Sequence, residues 1–176
     1  MKPRIRYLDG MEVEEINDIS EALVKVNRSA AVVKGGRRFS FSALSVSGNK
    51  QGIVGYGFGK ARQVPGAIEK AARDGRKHLM RVPLTKSGTI PHETEGFYCS
   101  AMLRMLPASP GTGIIACPSV RAVCEMAGIK DILTKSYGST NPVNLIKATL
   151  HALSQLRTPQ QVAQLRGVEL GVGSRQ

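Results

Sequence analysis

VKGGRRFSFSALSVSGNKQGIVGYGFGKAR, running from Val33 to Arg62, is the stretch on which the reading of this chain turns. Phe39, Phe41, Ala43 and Leu44 with Val46 approximate a period of two, and Ile53 and Val54 open a second apolar run. The pattern predicts two or three short strands, with Gly35-Gly36 and Gly48-Asn49 supplying the turn chemistry at either end of the middle one. Six of the thirty residues are basic (Lys34, Arg37, Arg38, Lys50, Lys60, Arg62) and none is acidic. A hairpin so charged repels itself unless a polyanion lies against it, which points to an RNA-binding element.

The rest of the chain sharpens that contrast. Residues 1–21 carry three basic and six acidic side chains, residues 22–86 fourteen against two, and residues 87–176 eight against five. The whole excess behind the net charge of +12 therefore sits in one segment, as a nucleic-acid face requires. No run reaches the ~18 apolar residues of a membrane span, and MKPRIRYLDG has no apolar core of a secretory signal. Three cysteines without a CxxC spacing (Cys99, Cys117, Cys124) read as free thiols of a reducing cytosol, with no metal.

In chain order, the acidic residues 1–21 read as an extension that is mobile or orders only on a partner. ALVKVNR at 22–28 reads as a strand, and SAAVVKGGRR as a loop leading into the central pair. Pro65 opens a helix whose Ile68, Ala71, Ala72 and Leu79 have helical spacing, with Gly75 a weak point within it. Strand, strand, strand, helix closes a first domain over 22–86. Two strands within 92–107, a glycine-rich connection, a helix from Pro118 to Gly128, a strand from Ile129, and a helix capped by Asn141 fill 87–166. TPQQVAQLRG repeats the cap-proline signal, and 167–176 read as a flexible tail. The fold class is α+β.

Two motifs imitate enzymes. GYGFGK at 55–60 lacks the glycine and the Ser or Thr of a P-loop, having Val54 and Ala61 in their places. Alternating glycines mark instead a close backbone approach, here expected to be RNA. PASPGTGIIA at 107–116 resembles the phosphate loop of the galactokinase/homoserine kinase/mevalonate kinase superfamily, but Ile114 and Ile115 replace its serines. His78, His92 and His151 fall in separate elements, and Glu93 and Glu95 share a strand face as charges on an exposed edge. Nothing in the pattern calls for catalysis, a cofactor or a small-molecule substrate. Phe39 and Phe41 are assigned to the core, while Tyr56 and Phe58 divide evenly between core and base stacking.

Together VNR at 26–28, VKGGRRFSFSAL at 33–44, VGYGFGKAR at 54–62 with VPGAIEKA, PASPGTGIIA, RAVCEMAGIKD at 121–131 and YGSTNPVNLIKATL at 137–150 closely resemble bacterial small-subunit ribosomal protein five. The resemblance covers about residues 22–167, in family order and spacing. It implies a double-stranded-RNA-binding-like domain (a three-stranded antiparallel sheet plus helix), then a β-α-β domain of that family's second-domain type. It implies a structural, non-enzymatic role in the cytoplasmic small subunit: binding 16S rRNA, contact with ribosomal proteins four and eight, and a place by the mRNA entry channel and decoding region. Carried over by position, the resemblance implies that the loop Arg28–Arg38 is the tip that enters rRNA. The RNA-binding candidates are then Lys25, Asn27, Arg28, Lys34, Gly35, Gly36, Arg37, Arg38, Lys50, Tyr56, Lys60, Arg62, Lys70, Arg73, Arg76 and Lys77. Pro107, Ser109, Gly111, Thr112 and Gly113 would lie toward protein four, and the second domain's surface toward protein eight. The chain departs from the family at Ala31, where related loops carry lysine, at Cys117-Pro118, often Gly-Gly, and in its acidic start over 9–21.

Overall fold

In the computed structural model, which describes residues 5, 7, 8 and 18–168, β1 (Ser20–Val33) and β2 (Gly36–Gly48) form one long antiparallel hairpin. The segment read as a loop, SAAVVKGGRR, is therefore mostly strand. Only Lys34 and Gly35 turn, and Val33 pairs directly with Gly36. Alanines and β-branched valines at 30–33 extend easily, and the sequence pattern missed this because neither face there is buried. β3 (Ile53–Ala61) and β4 (Leu79–Arg81) complete a four-stranded sheet ordered β1-β2-β3-β4, so the expected three strands gain a short fourth.

α1 (Val64–Gly75) lies on one face of this sheet, and small residues determine how close it comes. A Cβ on Gly57 would strike the Ala71 carbonyl oxygen, one on Gly59 the Ala67 carbonyl oxygen, and one on Gly55 would lie 2.6 Å from the His78 oxygen. Two strand residues advance about 6.8 Å and four helix residues about 6 Å, so alternate glycines in β3 stay in step with Ala67, Ala71 and Gly75. The backbone these glycines admit is thus the protein's own helix, and not RNA as expected. Gly75 ends α1 and does not interrupt it; a Cβ there would lie 2.5 Å from Ser47 Oγ, and a 3-10 turn (Arg76–His78) follows.

The second sheet is ordered β5-β6-β8-β7, from β5 (Thr94–Tyr98), β6 (Ala101–Pro107), β7 (Ile114–Ile115) and β8 (Ile132–Gly138). β7 and β8 are parallel and joined through α2 (Pro118–Ala127), giving the β-α-β unit. Asn141 Oδ1 accepts the Val143 N–H at 3.3 Å and so caps α3 (Pro142–Ser154), whose Leu145, Ile146, Leu150 and Leu153 are buried. Thr158 and Gln161 form a capping box on α4 (Pro159–Arg166).

One buried cluster runs from Leu44, Val46, Val54 and Met80 into Leu103, Met105, Val123, Ile132 and Ile146, so the two sheets share a core. The β2–β3 turn seals it: Lys50 N–H donates to the Met126 carbonyl and Gly52 N–H to that of Ala127, each at 2.9 Å. The expected acidic extension and C-terminal tail lie mostly outside the described residues. Ile5, however, packs on the core, Tyr7 meets His78 edge-on with centroids 5.1 Å apart, and Leu8 N–H donates to the Leu79 carbonyl at 2.8 Å. Burial, then Tyr56, pushes the Tyr7 hydroxyl upward in pKa.

Candidate nucleic-acid interface

Beyond Phe41, which pairs with both Arg28 and Ala61, the hairpin loses its third strand. Residues 28–39 are all exposed, Val32 to 82%, so β1 and β2 project as a two-stranded arm about five residue pairs long. At about 3.4 Å per pair the arm reaches about 17 Å past the sheet. The arm is continuous with the four-stranded sheet, which anchors it at its base.

Register sorts the arm's side chains. Arg28, Ala30 and Val32 share a face with Arg37, Phe39 and Phe41, the side on which α1 sits. Asn27, Ser29, Ala31 and Val33 share the other with Arg38, Ser40 and Ser42. Phe39, expected in the core, is 42% exposed because it lies past the end of α1; the Arg28 guanidinium covers its ring at 4.7 Å. Phe41 is half-buried against Ala43, Ala67 and Ala71. At the tip, the positive φ (+138°) falls on Gly36, and a Cβ on Gly35 or Gly36 would meet nothing within 4 Å. Lys34, Arg37 and Arg38 therefore surround an open backbone.

The remaining candidates do not all converge there. Lys25 and Asn27 of β1 and Lys60 of β3 join Arg38 on one sheet face, with Arg62 exposed just past β3. Lys70, Arg73, Arg76 and Lys77 form a second, exposed basic surface on α1 and its 3-10 turn. Arg73 pairs with Glu69 at 3.0 Å and Arg76 with Glu21 at 3.4 Å; such exposed pairs hold the side chains weakly. Lys50 has φ +56° and stands at the opposite end of β2 from the tip, about 40 Å away along the strand. Tyr56 is half-buried: His78 stacks on its ring (centroids 5.4 Å apart), and Lys147 Nζ lies 5.5 Å from the centroid. Phe58, the neighbour left undecided by the sequence, is 47% exposed.

The loop at 107–113 is a built turn. Thr112 donates to the Ser109 carbonyl through N–H (3.2 Å) and Oγ1 (2.8 Å), with Gly111 and Gly113 at φ +89° and +75°. Thr89 Oγ1 accepts the Ala108 N–H at 3.3 Å, and the buried Asp131 carboxylate accepts the Gly113 N–H at 2.8 Å. Spacing gave no sign of either anchor. A phosphate loop aims such N–H groups at an anion; here a carboxylate already occupies the donor. Pro107, Ser109, Gly111 and Thr112 remain exposed as a surface knuckle. The cysteines are free, and burial pushes the Cys124 thiol up to about 12.

The comparisons with known proteins bear on both halves. The model of the ribosomal protein S5 N-terminal domain matches residues 19–83, and that of its C-terminal domain residues 96–166. The chain is 55% identical over 148 residues to small ribosomal subunit protein uS5 of Rhodopirellula baltica, covering 84% of this chain and 83% of that protein.

The chain belongs to the ribosomal protein S5 family.

It is also 47% identical over 166 residues to uS5 of Blochmanniella floridana, covering 94% of this chain and 93% of that protein. With uS5 of Shewanella baltica the figures are 47% over 160 residues, 91% and 95%. The S5 family is one of structural ribosomal proteins and not of enzymes, in keeping with a glycine loop whose donor is closed by Asp131. Both expected parts, the α+β sheet-and-helix unit and the β-α-β unit, are those the two S5 models cover.

Proposed function

We propose that the chain binds 16S rRNA and supports small-subunit assembly, mRNA entry and decoding accuracy in the cytoplasm. Residues 22–86 supply the RNA-binding unit and 87–166 the docking unit. The knuckle at 107–113 faces ribosomal protein four, the second unit's surface faces protein eight, and the basic surfaces lie toward rRNA and mRNA near the entry channel. The observation that carries this reading is the arm: exposed strands ending in Lys34, Arg37 and Arg38, with no packing partner among the described residues. Its mechanism is electrostatic and shape-based. Cations bind phosphates, and the side-chain-free tip lets an RNA backbone approach the peptide.

The experiment is equilibrium binding of the full chain to small-subunit rRNA across a salt series. Each phosphate contact contributes about 0.7–0.9 to the slope of log affinity against log salt. Half a dozen contacts from the arm and α1 give an expected slope of about −4 to −5. A flat response would contradict the reading.

A further inference from the structure

The first sheet presents a second face, opposite α1. Its inner half is covered: Leu44 is 3% exposed and Val46 fully buried beneath the second unit. Phe58 pairs with Leu44 and shares its face, yet is 47% exposed, so it stands where the cover ends. From there outward the register sets Lys25 in the row of Phe58, then Asn27, Ser42 and Lys60 in the next, with Arg38 further along the arm. Adjacent rows on one face are about 6.8 Å apart and adjacent strands about 4.8 Å. One open aromatic ring is thus bordered by cations, an amide and a hydroxyl, with no acidic side chain on the face from Lys25 to Val33 or from Arg38 to Ser42. The strand beneath the ring is fixed, since Phe58 N–H donates to Asp74 Oδ2 at 3.0 Å.

We propose that this face takes unpaired RNA bases, with Phe58 as the stacking residue and Lys25, Lys60 and Arg38 neutralising the adjoining phosphates; the inference rests on the RNA-binding reading above. A duplex offers phosphates and 2′-hydroxyls but keeps its base faces stacked, so it has no use for a ring. An unpaired base supplies a free face, and stacking tolerates any sequence. A protein partner would favour a contiguous apolar patch; here a single ring sits among polar and charged neighbours. Asn27 and Ser42, one row away, provide a donor and acceptor set for base edges.

The test uses the full chain with a short unstructured oligoribonucleotide and a blunt RNA duplex of equal length. Phe58→Leu is expected to weaken single-strand binding about 5- to 150-fold, the loss of one stacked base, and duplex binding less than twofold. The chain contains no tryptophan, so Phe58→Trp installs a single reporter, whose fluorescence is expected to be quenched by the single strand and unchanged by the duplex. The reporter keeps the test decisive even if Phe58→Leu folds poorly. Unchanged single-strand affinity with no quenching, or equal losses on both RNAs, overturns the inference while leaving the RNA reading intact. Binding of neither RNA by the parent chain overturns both.

Discussion

Replacing Arg37 and Arg38 together with alanine is expected to lower rRNA affinity by at least a hundredfold while leaving the melting temperature of the free protein unchanged. Charge-assisted contacts are worth about 1.5–3 kcal/mol each before compensation, and two of them lie at the open tip. The same change is expected to make the salt slope shallower by about 1.4–1.8. Stability is spared because both side chains are exposed and, among the described residues, a Cβ on Gly35 or Gly36 would meet nothing within 4 Å. The two arginines lie on opposite faces of the arm, Arg37 with Phe39 and Arg38 with Ser40. An RNA gripped from both sides therefore needs both, and each single substitution should account for roughly half the effect in free energy. Parental affinity and slope in the double variant would remove the arm from the interface.

The second large effect is on stability. Gly57→Val is expected to cost about 4 kcal/mol or more, a large share of the roughly 5–15 kcal/mol that holds an ordinary domain folded. The new Cβ would collide with the Ala71 carbonyl oxygen and lie within the space of Gly75 N, both main-chain atoms that cannot rotate away. α1 would have to lift off β3, exposing Ala43, Ala67 and Ala71. Gly35→Val is the control: with no heavy atom within 4 Å of its Cβ position, it should change melting by less than about 0.5 kcal/mol. Chemical denaturation of the two variants separates a glycine that packs from one that leaves room for a ligand. Equal midpoints would contradict the packing account.

These glycines show what could and could not be read from the sequence. Close backbone approach at Gly55, Gly57 and Gly59 was legible as alternation, but alternation carries no information about whose backbone arrives. Only the matching spacing of Ala67, Ala71 and Gly75 in the helix that follows reveals that it is α1. The arm was misread as a loop for a related reason. Strand patterns are visible when one face is buried, and residues 28–39 bury neither. The same absence of burial sent Phe39 to the core in the sequence reading, since its period matches Phe41 although α1 stops short of it. Asp131 and Thr89 were invisible because the turn they hold is distant from them in sequence. By contrast, the charge excess over 22–86 and the caps at Asn141 and Thr158 are local properties, and they appeared where composition and spacing put them.

The measurement that bears most directly on the central claim is sedimentation of the full chain, tagged in a bacterial lysate, through a density gradient with the subunits resolved. The account predicts that the parent protein co-migrates with the small subunit, and that Arg37→Ala/Arg38→Ala moves to the slow fractions while still folded. A parent chain found chiefly in a slow free pool, or a double variant that remains with the subunit as fully as the parent, would contradict it.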